Sequence, residues 1–255
     1  TDWAGVKSTE ERGIWLIDPA TGAQELFATG RGVQIGSFGP DGAFYVQLRD
    51  EGGVFRITPH SRELILPTGE GTDLEVVPQV VVLPDGRLLL HDHEKTCYRL
   101  FDSADGRLRE AMPAGAHKMI SGGIINNNYL YYLGDYKIQQ MELSPPYSTK
   151  AFPEPPTGVC ASFALDSYGI VGLIAKERKV SPTNYERFPI GLLSMDFSGA
   201  VQFIVYTELF RNTPAFFLMR EDKDRRALFG VSTQEKLLVR FSTLICQGKS
   251  PTVPY

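Results

Sequence analysis

Gly39-Pro40-Asp41-Gly42 runs into Ala43-Phe44-Tyr45-Val46-Gln47-Leu48, and Leu83-Pro84-Asp85-Gly86 runs into Arg87-Leu88-Leu89-Leu90-His91-Asp92. Proline presets φ for a tight turn, aspartate bonds its own backbone and glycine takes positive φ, so each copy reads as a turn feeding a short strand. The same slot returns with less fidelity at 127–133, 166–174 and 224–231. Each copy is followed by a second run in which apolar and polar residues alternate: Val54-Phe55-Arg56-Ile57, Cys97-Tyr98-Arg99-Leu100-Phe101, Ile138-Gln139-Gln140-Met141-Glu142-Leu143, Leu192-Leu193-Ser194-Met195-Asp196 and Leu237-Leu238-Val239-Arg240-Phe241. A period of two is the strand period.

Sharp reversals follow the second runs or close the stretch before the first copy. They are Asp18-Pro19-Ala20-Thr21-Gly22, Asp102-Ser103-Ala104-Asp105-Gly106 and Asp196-Phe197-Ser198-Gly199, and short strands such as Gln24-Glu25-Leu26-Phe27 and Val201-Gln202-Phe203-Ile204-Val205 come after them. A repeat of roughly forty residues built from four turn-separated strands is the pattern of a β-propeller blade. The expectation is therefore an all-β chain, a β-propeller of about five four-stranded blades forming one domain over 1–255. Ile14-Trp15-Leu16-Ile17-Asp18 is left over by this count. Either five blades carry one additional fastening strand, or the chain holds part of a six-bladed ring.

The composition narrows the function. No apolar run reaches the ~20 residues that a membrane-crossing helix needs, so no membrane span is expected. The net charge of -4 is interspersed along the chain with no basic stripe, which excludes electrostatically driven nucleic-acid binding. Cys97, Cys160 and Cys246 are odd in number, so at most one disulfide can form. Cys97 and Cys160 sit in alternating runs and read as buried thiols acting as small hydrophobes. Gly-x-Ser-x-Gly, Cys-x-x-Cys and His-Glu-x-x-His patterns do not occur, which removes the easily read hydrolase, redox and zinc-protease chemistries.

Three places carry candidate chemistry. His91 and His93 stand two apart and would share one strand face, half of a metal site; the alternative is a polar strand end with exposed histidines. Asn126, Asn127 and Asn128, with Tyr129, form the most polar stretch beside a strand entrance and are ligand-binding candidates, against the turn duty that asparagine often performs. The longest irregular segment, 176–189, interrupts the fourth copy and makes Asn184, Tyr185, Glu186 and Arg187 further ligand-binding candidates, because insertions into regular repeats are where function is grafted.

Pro156-Thr157-Gly158-Val159-Cys160 with Asp166-Ser167-Tyr168-Gly169, Ser121-Gly122-Gly123-Ile124-Ile125 with Tyr129-Leu130-Tyr131-Tyr132, and Val77-Pro78-Gln79 with Pro84-Asp85-Gly86-Arg87 resemble the gluconolactonase and senescence-marker-protein propellers. That resemblance implies six blades and a calcium or other divalent ion held at the channel by a glutamate, asparagines and an aspartate. Where such ligands would stand, this chain has Pro78, Gln79, Gly122 and Thr157. A weaker resemblance, through Tyr129-Leu130-Tyr131-Tyr132, Gly169-Ile170-Val171-Gly172-Leu173 and Val201-Gln202-Phe203-Ile204, is to the yellow and royal-jelly propellers, which implies ligand binding.

Three functions follow. The first is a metal-free propeller with no cofactor that binds a small molecule or a protein partner at the channel mouth or on one face. The second is a metal-dependent lactonase or esterase whose ligands come from Glu10, Asp73, Asn126 or Asp166. The third is a cofactor-free enzyme with a shaped apolar pocket, since positioning and hydrogen bonds catalyse without a readable motif.

Overall fold

A computed structural model describes residues 11–18, 21–112, 117, 120–165, 169–179, 185–206, 227–232 and 237–242. These residues contain twenty strands and one short 3₁₀ turn. They fall into two compact units, 1–120 and 121–255.

The first unit opens with a hairpin of β1 (Glu11–Ile17) and β2 (Gln24–Arg31). Two four-stranded antiparallel sheets follow, each a meander in chain order. One is β3 (Ser37–Phe38), β4 (Phe44–Leu48), β5 (Gly53–Thr58) and β6 (Ser61–Pro67). The other is β7 (Val80–Val82), β8 (Leu88–Asp92), β9 (Cys97–Asp102) and β10 (Arg107–Glu110). The second unit has two more such sheets: β11 (Ile120–Asn126), β12 (Tyr129–Gly134), β13 (Lys137–Glu142), β14 (Thr149–Ala151), then β15 (Val159–Leu165), β16 (Ile170–Lys179), β17 (Tyr185–Met195), β18 (Val201–Tyr206). It closes with the pair β19 (Ala227–Ser232) and β20 (Leu237–Ser242), which is the fifth copy of the repeat as far as it is described.

The recurring motif is built twice with the same bonds. Gly39 N–H donates to Ala43 O at 2.8 Å and Gly42 N–H to Gly39 O at 3.0 Å; Leu83 N–H donates to Arg87 O at 2.8 Å and Gly86 N–H to Leu83 O at 2.9 Å. Asp41 Oδ1 accepts Ala43 N–H and Asp85 Oδ1 accepts Arg87 N–H, both at 3.1 Å. Gly42 and Gly86 lie at φ 76 and 87, a region that glycine alone enters without cost. These turns join the innermost strand of each sheet to the second. The reversal at Asp102 joins the third strand to the fourth, with Ala104 N–H on its Oδ1 at 2.9 Å and Gly106 N–H on its carbonyl at 2.8 Å.

Burial explains why the strands read as they do. Leu88, Leu89 and Leu90 are all buried, because β8 is covered on both faces and so shows a continuous apolar run in place of alternation. Leu88 and Leu90 pack with Val54, Leu74, Val77, Val80 and Phe101, each large side chain contributing about 1.5–3 kcal/mol by leaving water. In the second unit Tyr131, Leu133, Ile138, Phe163, Ile170, Ile174, Leu193 and Met195 form the corresponding core. The left-over strand is β1. Ile14 packs with Phe27 and Ala28 of β2 against Val46, Leu48 and Ile57, whereas Trp15, Ile17 and Leu26 are exposed.

The described parts of the segment 176–189 are not irregular. Residues 176–179 and 185–189 continue β16 and β17 as a ribbon, pairing Lys176 with Phe188, Glu177 with Arg187, Arg178 with Glu186 and Lys179 with Tyr185. On the β15 side, pairing stops at Ala175. Lys176-Glu177-Arg178-Lys179 and Tyr185-Glu186-Arg187 lack the apolar alternation by which a strand is read.

Candidate functional site

The first unit carries an open groove of about 300 Å³ on the side of the sheets where the repeated turns lie, lined by residues that include Asp41, Tyr45, Asp85, Arg87 and Asp102. Three turns build it: the two copies of the motif and the reversal at Asp102. Each turn holds its aspartate by an Asx bond, so the carboxylates are positioned by backbone and not by chance rotamers.

Two of the three carboxylates are paired. Asp41 Oδ2 accepts Arg56 Nε at 2.8 Å, Arg56 Nη2 at 2.8 Å and the Tyr45 hydroxyl at 3.0 Å. Asp85 Oδ2 accepts Arg87 Nε at 2.8 Å and Nη2 at 2.6 Å. Partial burial works to raise the pKa of Asp41, but the bonds from Arg56, Ala43 and Tyr45 outweigh it and leave it below 3.8. The Arg87 bond depresses Asp85 likewise. Both stay ionised at neutral pH, which unsuits them as proton donors and suits them as fixed acceptors.

On the opposite ends of the strands, the crossing 68–79 from β6 to β7 covers a set of buried polar groups. Gln47 is fully buried; its Nε2 donates to Thr68 Oγ1 at 2.8 Å and its Oε1 accepts Val77 N–H at 2.9 Å. Arg99 Nη1 donates to Asp73 O at 2.9 Å. His91 and Asp92 are 4% and 2% exposed. His91 Nε2, Asp92 Oδ2 and Arg99 Nε are buried without a hydrogen-bond partner among the described residues. Burial, then the charge of His93, hold the His91 pKa down at about 4.

The expectation of exposed histidines is therefore corrected at His91, which is buried on the sheet face that it shares with Tyr98; its ring lies 5.6 Å from Tyr98 and 6.4 Å from His93. Strand β8 ends at Asp92 and His93 belongs to the turn beyond it. Among the described residues no group of three His, Cys, Asp or Glu side chains comes together to hold a metal ion. The positions where the family resemblance implies ligands offer little: Gln79 is buried and receives the Tyr98 hydroxyl at 3.4 Å, Gly122 has no side chain, and Thr157 is exposed. One amide and one hydroxyl without a carboxylate do not fit an ion that takes six or more oxygens. Asp73 stands exposed on the crossing before an innermost strand, Asn126 at the far end of another, and Glu10 and Asp166 lie outside the described residues.

Asn126 is the last residue of β11, and Asn127 and Asn128 form the turn from it into β12. Asn127 takes φ 55, Asn128 Nδ2 donates to Ser144 Oγ at 3.2 Å, and Leu143 N–H donates to Asn128 O at 2.9 Å. Tyr129 begins β12 and is 38% exposed. Tyr185, Glu186 and Arg187 lie on the ribbon part of β17, and Asn184 lies outside the described residues. Cys97 and Cys160 are buried, and burial pushes their thiols up to about 11 and about 12.

No protein-family model and no curated sequence matches this chain. Solved structures do. A chain of a nidogen/laminin complex matches with a TM-score of 0.68 at 12% identity, over 93% of this chain and 87% of that one. A gluconolactonase of Xanthomonas campestris matches with 0.57 at 12%, over 78% and 69%. A virginiamycin B lyase from Staphylococcus aureus matches with 0.57 at 11%, over 91% and 74%. At such identities the likeness shows the fold alone. The chain is a β-propeller, its four-stranded sheets are blades, and no helix among the described residues is long and apolar enough to cross a membrane.

Proposed function

We propose that this propeller is a binding module, and that it takes a protein partner across the turn face of its first unit, without a metal and without catalysis. The observation that carries the reading is the open groove between the two repeated turns, with its fixed, ionised carboxylates. A volume of about 300 Å³ lies at the small end for ligand pockets, which are mostly apolar and enclose their occupant. This groove is open, and beside Pro40, Gly86 and Ala104 it presents three aspartates, an arginine, a serine and a tyrosine, polar groups of the kind found at the rim of a protein interface. Catalysis finds no support there, because its two described shifts among carboxylates run away from neutral pH. A propeller similar in fold has been solved in a nidogen/laminin complex, which supports the reading by analogy of fold only.

The test is a selection of displayed random peptides on the immobilised full chain, repeated on Asp85→Lys and Asp102→Lys. Peptides that bind the natural chain are expected to lose at least tenfold in affinity on either variant. Peptides that bind all three chains equally would remove the groove from the interface.

A further inference from the structure

The crossing 68–79 covers a polar cell that has no part in the groove. Residues opposite one another on antiparallel strands share a face; Leu90 is paired with Arg99 and Asp92 with Cys97. Asp92 and Arg99 therefore point the same way, into the crossing. Asp92 Oδ1 accepts Lys95 N–H at 3.0 Å. Its Oδ2 faces Arg99 Nη1 at 3.6 Å, an ion pair beyond hydrogen-bond length.

The reason for the gap is on the same guanidinium. Arg99 Nη1 is committed to Asp73 O at 2.9 Å, which draws the side chain toward the crossing and off the carboxylate. Two buried groups are left over, the acceptor Asp92 Oδ2 and the donor Arg99 Nε. An unmet buried polar group costs about 1–3 kcal/mol, and more when charged. Closing the gap directly would pull Arg99 away from the crossing that it holds. A molecule that accepts from Nε and donates to Oδ2 satisfies both groups and leaves the crossing in place.

We infer that one internal water occupies this cell, bridging Arg99 Nε to Asp92 Oδ2. Water is the ligand of fitting chemistry, since it accepts and donates at once and resides in proteins where buried polar groups lack partners. The bridge makes the crossing, Arg99 and the end of β8 one hydrogen-bonded unit, and His93 N–H, which donates to Val76 O at 3.2 Å, lies within it.

A high-resolution crystal structure of the full chain tests the inference. An ordered oxygen within hydrogen-bond distance of both Arg99 Nε and Asp92 Oδ2 is expected. A direct Nε to Oδ2 contact, or a dry gap, would overturn it. Arg99→Met keeps the volume and removes the donor. In that variant the ordered oxygen is expected to disappear, and the His93 amide to exchange with solvent at least tenfold faster. An oxygen that stays in place without the guanidinium would show that other groups hold it, and would also overturn the bridge. Should Arg99→Met not fold, the density of the natural chain decides alone.

Discussion

Gln47 sits in a strand slot between Val46 and Leu48, and nothing in its neighbourhood of sequence gives an amide work to do there. The work comes from 21 and 30 residues away, at Thr68 and Val77. Gln47→Leu keeps the volume but strands the Val77 N–H and the Thr68 hydroxyl, so a loss of about 3 kcal/mol is expected. For a chain of this length that is a fall of roughly 6–12 °C in the melting midpoint. A fall of less than about 1 °C would show that the crossing is held by other contacts. His91 makes a second residue-scale prediction. Its folded pKa of about 4 lies below the ordinary 6.5, so the unfolded chain takes a proton first as the pH drops. The stability is therefore fully present above pH 6.5 and lost as the pH falls toward 4, by about 3 kcal/mol for a difference of roughly 2.5 pH units. Urea unfolding across that window checks it, with His91→Leu expected to flatten the slope there. An unchanged slope would remove His91 as its cause.

Two glycines separate what a turn needs from what a blade needs. Gly86 lies at φ 87 with open space where a Cβ would go, so Gly86→Ala meets only the left-handed backbone cost of about 1–2 kcal/mol. Gly158 lies at φ 83, and its Cβ would stand 2.5 Å from Ala175 O. It carries the chain in beside β16 at the residue where pairing with β15 begins. Gly158→Ala is expected to cost at least ~1 kcal/mol more than Gly86→Ala, since backbone cannot step aside as a flexible side chain does. Equal costs in chemical denaturation would show that the approach at Ala175 is slack. The same contrast explains what was legible beforehand. The repeated turns were, because proline, aspartate and glycine act within four residues of one another. The ribbon of β16 and β17 was not, because its residues show no apolar alternation. The groove was half legible: each turn could be read, but not that Asp41, Asp85 and Asp102 meet. The burial of His91 was invisible, because a histidine beside an aspartate at a strand end reads as polar surface whatever covers it.

Across the whole molecule, the question that separates a binding module from a lactonase is whether a divalent ion belongs to the native state. The fold does not decide it, since propellers of several activities share the architecture. The donor set does bear on it: Gln79, Gly122 and Thr157 bring no carboxylate, and calcium needs several anionic oxygens. An ion that binds the native state alone must raise stability by mass action, by about 2.7 kcal/mol at a hundredfold excess over its dissociation constant. For a chain of this size that amounts to an upward shift of roughly 5–10 °C. The full chain, stripped with a chelator and titrated with calcium, manganese and zinc in turn, is expected to melt at one unchanged temperature. A saturable rise with any of the three would overturn the metal-free reading and put the ligands among Glu10, Asp73, Asn126 and Asp166. Substitution of those four, one at a time, would then show which of them the ion needs. The binding face would survive that result, because Asp41, Asp85 and Asp102 are held by their own turns, and Asp41 and Asp85 by arginines as well, whatever ion the molecule carries.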